Sequence, residues 1–278
     1  MAINAFRSNN SFIACEQLAS TDAFYTGVTT GSIMSVVQGS SFSVGLDHIT
    51  SNQLGSRYYS VNSLNRQPDI ALSISYIPSY PFFNEGLVNL ADVNTSATGQ
   101  IVSMAALSGF ESASRNFYIF TRPEEGYNAL SGFSVTDNLN FSGYQCASVG
   151  NCFLTNYSLS YSVGQLPVVQ TQFIGSNMQY ENITGTTVGS PAINLASGNT
   201  NQVGELTLSG IQEFASSPLI TNPTRTGSSV TLQNLQVGGQ ALGEGHILQS
   251  VQLDLDISRH AAYGIGSDYV YGRKMLLP

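Results

Sequence analysis

The chain has 278 residues, of which 42% are hydrophobic and only 9% are charged. A hydrophobic share of this size supplies a core, so the composition excludes a disordered chain. Nine Lys and Arg residues against 17 Asp and Glu, with a net charge of -8, exclude proteins that grip nucleic acid through basic patches.

The polar surface is made of Gly, Ser, Thr, Asn and Gln instead of charged side chains. Burying such groups against another protein costs less desolvation free energy than burying Lys or Glu. We therefore expect a surface that is largely covered by other protein.

Targeting and cysteine signals are weak. No run of 18 apolar residues predicts a membrane span, and residues 1–7 lack the features of a secretory signal. Cys15, Cys146 and Cys152 cannot all pair, and no His or further Cys clusters with them as a zinc site requires. We expect reduced, structural thiols in a protein made in the cytoplasm.

Taken in chain order, the predicted elements are mostly strands. Apolar residues alternate strictly with polar ones in four segments, which indicates strands with one apolar and one polar face; these are 41–47, 69–76, 157–164 and 252–258. Weaker strand patterns lie at 101–107, 116–121, 167–175, 204–209 and 230–236. Helical signal is confined to 11–19 and to 84–90, where Asn84 is the predicted N-cap.

These elements predict an all-β fold, a β-sandwich or barrel-like sheet with one or two short helices. No linker divides the chain, so we expect a single domain over 1–278. Residues 183–225 are rich in Gly, Ser, Thr, Asn and Pro and are predicted to be loop-rich.

A repeat points to internal duplication. Residues 36–58 align without a gap with residues 247–269, and the paired segments end in Leu/Ile-Gly-Ser-x-Tyr. A repeated strand-turn unit is typical of a building block more than of a catalyst. The approximate halves are 20–135 and 136–278; chance similarity between two strands is the alternative.

No motif for catalysis or cofactor binding emerges, and we assign no catalytic, cofactor-binding or metal residue. His48, His246 and His260 are scattered, and the Gly-rich run 238–245 fits no phosphate-binding loop. Asp254 and Asp256 project from one face of a predicted strand, with Cα atoms about 6.5–7 Å apart. They could form an acid/base couple, bind a cation or line a solvated face, and the last reading is favoured.

Several segments resemble the tail tube (major tail) proteins of long-tailed bacteriophages. They are QLGS (53–56), RQPDI (66–70), NE (84–85), CFLTNYS (152–158), VGQLP (163–167), FIGSNM (173–178), ILQSV (247–251), ISR (257–259), GIGS (264–267) and YGR (271–273). Residues 180–245 carry no such resemblance.

The resemblance implies a structural virion protein with no enzyme activity, made in the host cytoplasm and located in the virion tail. Protomers would join their inner strands into rings, hexameric or trimeric with pseudo-sixfold symmetry, which stack into a tube. The implied partners are the protein itself and the tail terminator, baseplate and tape-measure proteins. DNA would pass through the tube without specific binding.

Our hypothesis for the lumen follows from the alternation. Ser41, Ser43, Asp47, Asp254 and Asp256 lie between apolar neighbours and are expected to face the lumen. A wall of hydroxyls and carboxylates lets DNA slide, whereas a basic wall would trap it. The alternatives are another ring-forming virion protein (neck, tail terminator or distal tail), a carbohydrate-binding β-sandwich or adhesin, and a β-rich hydrolase.

Overall fold

The computed structural model is almost entirely antiparallel β-sheet, and the predicted all-β fold is confirmed. It describes residues 11–17, 28–29, 31–34, 36–45, 48–52, 59–64, 69–80, 84, 92–96, 99–103, 114–121, 144–162, 165–193, 205–208, 217–218, 236–237, 240–241, 250–263 and 270–275. The strands there are β1 (Ser11–Gln17), β2 (Val28–Thr29), β3 (Gly31–Ile33), β4 (Val37–Gly45), β5 (His48–Asn52), β6 (Tyr59–Leu64), β7 (Asp69–Tyr76), β8 (Ser79–Tyr80), β9 (Asp92–Ser96), β10 (Gly99–Ser103), β11 (Arg115–Thr121), β12 (Gln145–Ser162), β13 (Val168–Gly175), β14 (Asn177–Asn182), β15 (Thr187–Gly189), β16 (Glu205–Thr207), β17 (Ser217–Pro218), β18 (Gln236–Val237), β19 (Gln240–Ala241), β20 (Ser250–Asp256), β21 (Arg259–Tyr263) and β22 (Val270–Met275).

Two sheets share the long strand β12. Its first half pairs with β11 on one side and β14 on the other, which completes a first sheet in the order β3-β1-β11-β12-β14. Its second half pairs with β13 and β20, which gives a second sheet in the order β4-β7-β13-β12-β20. One continuous strand therefore joins both layers.

The strand changes sheets at Asn151, whose backbone has a positive φ of 50°. Asn tolerates this left-handed conformation better than most residues because its short polar side chain bonds locally. Here the Asn151 N–H donates to Asn116 Oδ1 at 3.0 Å, and Asn151 Oδ1 accepts from the Ile193 N–H at 2.7 Å. Both bonds fix the point at which β12 bends.

The main core lies between the two sheets and includes a ring contact between Phe117 and Phe173, whose centroids are 4.6 Å apart. Its other members come from both layers, among them Ile13, Cys15, Ile70, Leu72, Ile74, Tyr76, Val149, Leu154, Tyr157 and Val169. This face-to-face packing makes the two sheets a β-sandwich.

A second core covers the opposite face of the first sheet. It joins residues of β1, β11 and β12 to Val188 of β15 and Leu206 of β16, which form a small sheet with β2. Strands β1 and β11 of the first sheet are therefore buried on both faces.

This double burial explains why the predicted helix at 11–19 is wrong. Residues Ser11–Gln17 form a strand that pairs with β11 along its whole length. Phe12 and Ala14 enter the second core while Ile13 and Cys15 enter the main core, so apolar residues occur at consecutive positions and hide the period of two.

The weaker strand predictions have mixed outcomes. Strands at 116–121 and 167–175 are confirmed by β11 and β13, and 101–107 and 204–209 are confirmed in part by β10 and β16. Only Gln236 of the segment 230–236 lies within the described residues. Of the helix at 84–90, only Asn84 is described, and it is helical; the division into halves remains a prediction.

Candidate self-assembly surface

The second sheet ends in β4 on one side and β20 on the other. In the described ranges, β4 pairs with β7 alone and β20 with β12 alone. Each outer edge presents backbone N–H and C=O groups that another strand can pair with. These are also the two strands that the predicted repeat aligns.

The apolar face of this sheet is covered at its centre and bare at its edges. Leu72 on β7 is fully buried, whereas Phe42, its direct neighbour on β4, is 45% exposed. At the opposite edge, Leu253 of β20 is 44% exposed. Val44 and Val251 are exposed beside them. Single exposed apolar residues are ordinary, but two pairs on opposite edges of one sheet make these edges candidate interaction surfaces.

The other face of the sheet carries two neighbouring rows of polar or small residues that run from edge to edge. Successive pairings place five residues in one row across the strands: Ser41, Ser73, Gln172, Asn156 and Asp256. The next row holds Gly39, Ser75, Gln170, Ser158 and Asp254. The five strand segments that form the sheet contain no Lys or Arg.

The structure therefore brings four of the five predicted lumen residues onto one face. Ser41, Ser43, Asp254 and Asp256 are all exposed there. Asp47 lies outside the described residues. That this face lines a lumen remains a hypothesis.

Asp254 has the partners of a solvated carboxylate. It accepts hydrogen bonds from Ser158 Oγ and, at 2.8 Å, from Gln252 Nε2, all at exposed positions. Within the described residues, no group of three or more His, Cys, Asp and Glu side chains is placed to hold a metal ion. The solvated-face reading of the Asp254 and Asp256 pair stays a prediction.

Cationic side chains near the second sheet are used to attach the β21–β22 hairpin. Arg273 pairs with Asp69 at 3.1 Å, and Arg259 Nε donates to the Leu154 carbonyl at 2.7 Å. Burial, followed by the charge of Arg273, lowers the pKa of Arg259 to about 10. Both guanidinium groups are held by protein partners.

A buried polar cluster was not predicted from the sequence. Glu16 is 1% exposed, and its Oε2 accepts from Tyr118 Oη at 2.6 Å and from Asn116 Nδ2 at 3.0 Å. Asn116 also donates to Ser190 Oγ, which fastens the segment 190–193 to the first sheet. Burial and the Glu16 charge raise the pKa of Tyr118, so its phenol remains a donor. The available signal was a Glu placed directly after the apolar run 12–15, within the same strand.

The three cysteines are free and buried, as expected. Burial raises the pKa of Cys15 to about 12 and raises the pKa values of Cys146 and Cys152 as well. Because the thiolate is the reactive form, these are structural thiols. In the described part of the chain, no helix is long and apolar enough to cross a membrane.

Comparisons with known proteins give no family. No protein-family profile and no curated protein matches the sequence. Among solved structures, the chain is similar to a protein of the anti-feeding prophage baseplate, with 8% identity and a TM-score of 0.39 over 66% of this chain and 100% of that one. It is also similar to the anti-feeding prophage tube terminating cap, with 13% identity and a TM-score of 0.35 over 66% of this chain and 95% of that one. At TM-scores this low, the similarity does not assign a function to the chain.

Proposed function

We propose that the protein is a structural subunit of a bacteriophage tail, which assembles with copies of itself into stacked rings that form the tail tube. The observation that carries this proposal is the second sheet: among the described residues, no further strand pairs with either of its outer edges, and both edges carry exposed apolar side chains. Each such edge is a template on which a strand of a further chain can pair. The sequence resemblance to tail tube proteins supports the same conclusion.

Ring formation uses both edges at once. When copies join head to tail, each contributes two different surfaces, and the chain of contacts closes into a ring if the rotation between copies allows it. A closed ring of sheets is a barrel, which has no remaining edges. The ring would be a hexamer, or a trimer with pseudo-sixfold symmetry if each copy contributes two similar units.

The polar face of the second sheet is suited to line the inner wall of the proposed tube. DNA carries about one phosphate charge per 1.7 Å of axis, so a wall with Lys or Arg would retain it. The face offers hydroxyl, amide and carboxylate groups, including Ser41, Ser43, Asp254 and Asp256, and we place Asp47 with them. The genome would pass along this wall without binding. Terminator, baseplate and tape-measure proteins would then be the other partners.

Electron microscopy of the purified protein over a range of concentrations tests the proposal. Tubes of stacked rings are the expected result. Single closed rings that never stack would assign the protein instead to a neck, terminator or distal tail position. A protein that stays monomeric at high concentration would refute self-assembly, and a map of the tube with the polar face outside would refute the lumen assignment.

A further inference from the structure

The number of strands in the second sheet determines the relative direction of its two edges. All four neighbouring pairs in the order β4-β7-β13-β12-β20 are antiparallel. Direction reverses at each of these pairs, so β4 and β20 run the same way. When copies are related by rotation about an axis along the strands, β20 of one copy meets β4 of the next in parallel orientation.

Both faces of the sheet match across such a junction. On β4, Phe42 and Val44 lie on the same face as buried Leu72 and Ile70. On β20, the exposed Leu253 pairs with Leu159, which packs against the same core. Placing the two strands side by side therefore continues the apolar face on one side and the polar face on the other.

Charge distinguishes between the ways in which the edges can pair. Joining two β20 edges about a twofold axis would bring Asp254 and Asp256 close to their own copies, and like charges on adjacent strands are destabilising. Strand β4 has no charged residue and carries Ser41 and Ser43 on the matching face. Its hydroxyl groups can donate hydrogen bonds to the carboxylates of β20.

We infer that β20 of one copy pairs with β4 of the next copy in parallel orientation, so that each junction is a parallel pair within an otherwise antiparallel sheet. This inference rests on the proposed self-assembly and names its interface. It makes every junction identical and uses both edges of each copy.

Paired cysteines on the polar faces of the two strands test it. The double variant Ser41→Cys with Asp254→Cys, treated with a short thiol-specific cross-linker, is expected to give a ladder of covalent dimers, trimers and higher species. Each single variant is expected to stay uncrosslinked, because one copy presents β4 and the other β20. The native thiols are buried, so the wild-type chain is the background control. Dimers from Asp254→Cys alone would overturn the head-to-tail pairing.

Strand direction is read from a set of six double variants. Ser41→Cys or Ser43→Cys is combined with Gln252→Cys, Asp254→Cys or Asp256→Cys. For each β4 cysteine, the β20 position that gives the highest cross-linking yield is identified. If the strands are parallel, this β20 position has a higher residue number for the cysteine at 43 than for the cysteine at 41. A lower number would mean antiparallel strands and would overturn the inference.

Microscopy of the same preparations separates the two proposals. If tubes form but none of the six double variants gives a ladder of cross-linked species, the β4–β20 pairing is overturned and the proposed tube is retained. A ladder from particles that never form tubes would overturn the tube and support the pairing. The absence of both would overturn both.

Discussion

Adding a charge at Ser41 should change assembly without changing the protomer. Ser41 is exposed, and it lies in the same row as Asp256 at the far side of the sheet. Four strand spacings of about 4.8 Å separate them within one copy, or roughly 19 Å. This exceeds the Debye length of about 8 Å at physiological salt, so the two charges barely interact within a copy.

Across the proposed junction the same two strands are neighbours, about 5 Å apart. A charge at Ser41 then interacts with the β20 carboxylates by ~1–3 kcal/mol for an effective dielectric constant between about 80 and 20. Ser41→Asp should raise the critical concentration for assembly by about 5- to 150-fold, and Ser41→Lys should lower it. Both shifts should shrink in 1 M salt, where the Debye length is about 3 Å.

Critical concentrations would be measured by light scattering and sedimentation, and the stability of the unassembled protomer by thermal unfolding. Thr184, which is exposed and outside the second sheet, provides the matched control with Thr184→Asp and Thr184→Lys. If Asp and Lys at position 41 shift assembly in the same direction, or if the Thr184 pair shifts it equally, the reasoning is wrong.

Three predictions concern the protomer itself. Gly150→Ala should lower the free energy of unfolding by ~1–3 kcal/mol, because its methyl group would overlap a backbone carbonyl, while Gly185→Ala, with open space around it, should be neutral in the same denaturant titration. Tyr118→Phe removes a 2.6 Å hydrogen bond to the buried Glu16 carboxylate and should cost ~1.5–3 kcal/mol, also by denaturant titration. Because burial raises the pKa of Cys15 from 9.0 to about 12, the unfolded chain loses this proton first as pH rises. Stability should therefore fall between about pH 9 and 12 and less steeply in Cys15→Ala; equal slopes in unfolding measurements would contradict this.

The strands of the second sheet could be predicted from the sequence because one face of this sheet is exposed to solvent. Alternation such as that of Ile70, Leu72 and Ile74 with polar neighbours identifies both the strand and its two faces. The faces of Ser41, Ser43, Asp254 and Asp256 follow from the same pattern. Local sequence is informative wherever one side of a strand meets water.

The first sheet and the edges could not be predicted in this way. Strand β11 is buried on both faces at nearly every position, so its pattern and that of β1 contain no period of two. Phe42 and Leu72 each lie in a strand where apolar and polar residues alternate, yet Phe42 is at the edge of the sheet and Leu72 is buried at its centre. The sequence pattern does not reveal this difference, because strand order depends on pairings between distant parts of the chain. The bend of β12 likewise depends on Asn116 and Ile193, which lie far from Asn151 in the chain.

The sharing of β12 between both layers has a mechanical consequence. To draw this strand out along its axis, a pulling force must shear its ladders to four neighbours together, because β11 and β14 hold one half and β13 and β20 hold the other. A force applied to the second sheet at β20 is transmitted to β12 and then along its covalent backbone to the first sheet. The two sheets therefore resist sliding relative to each other.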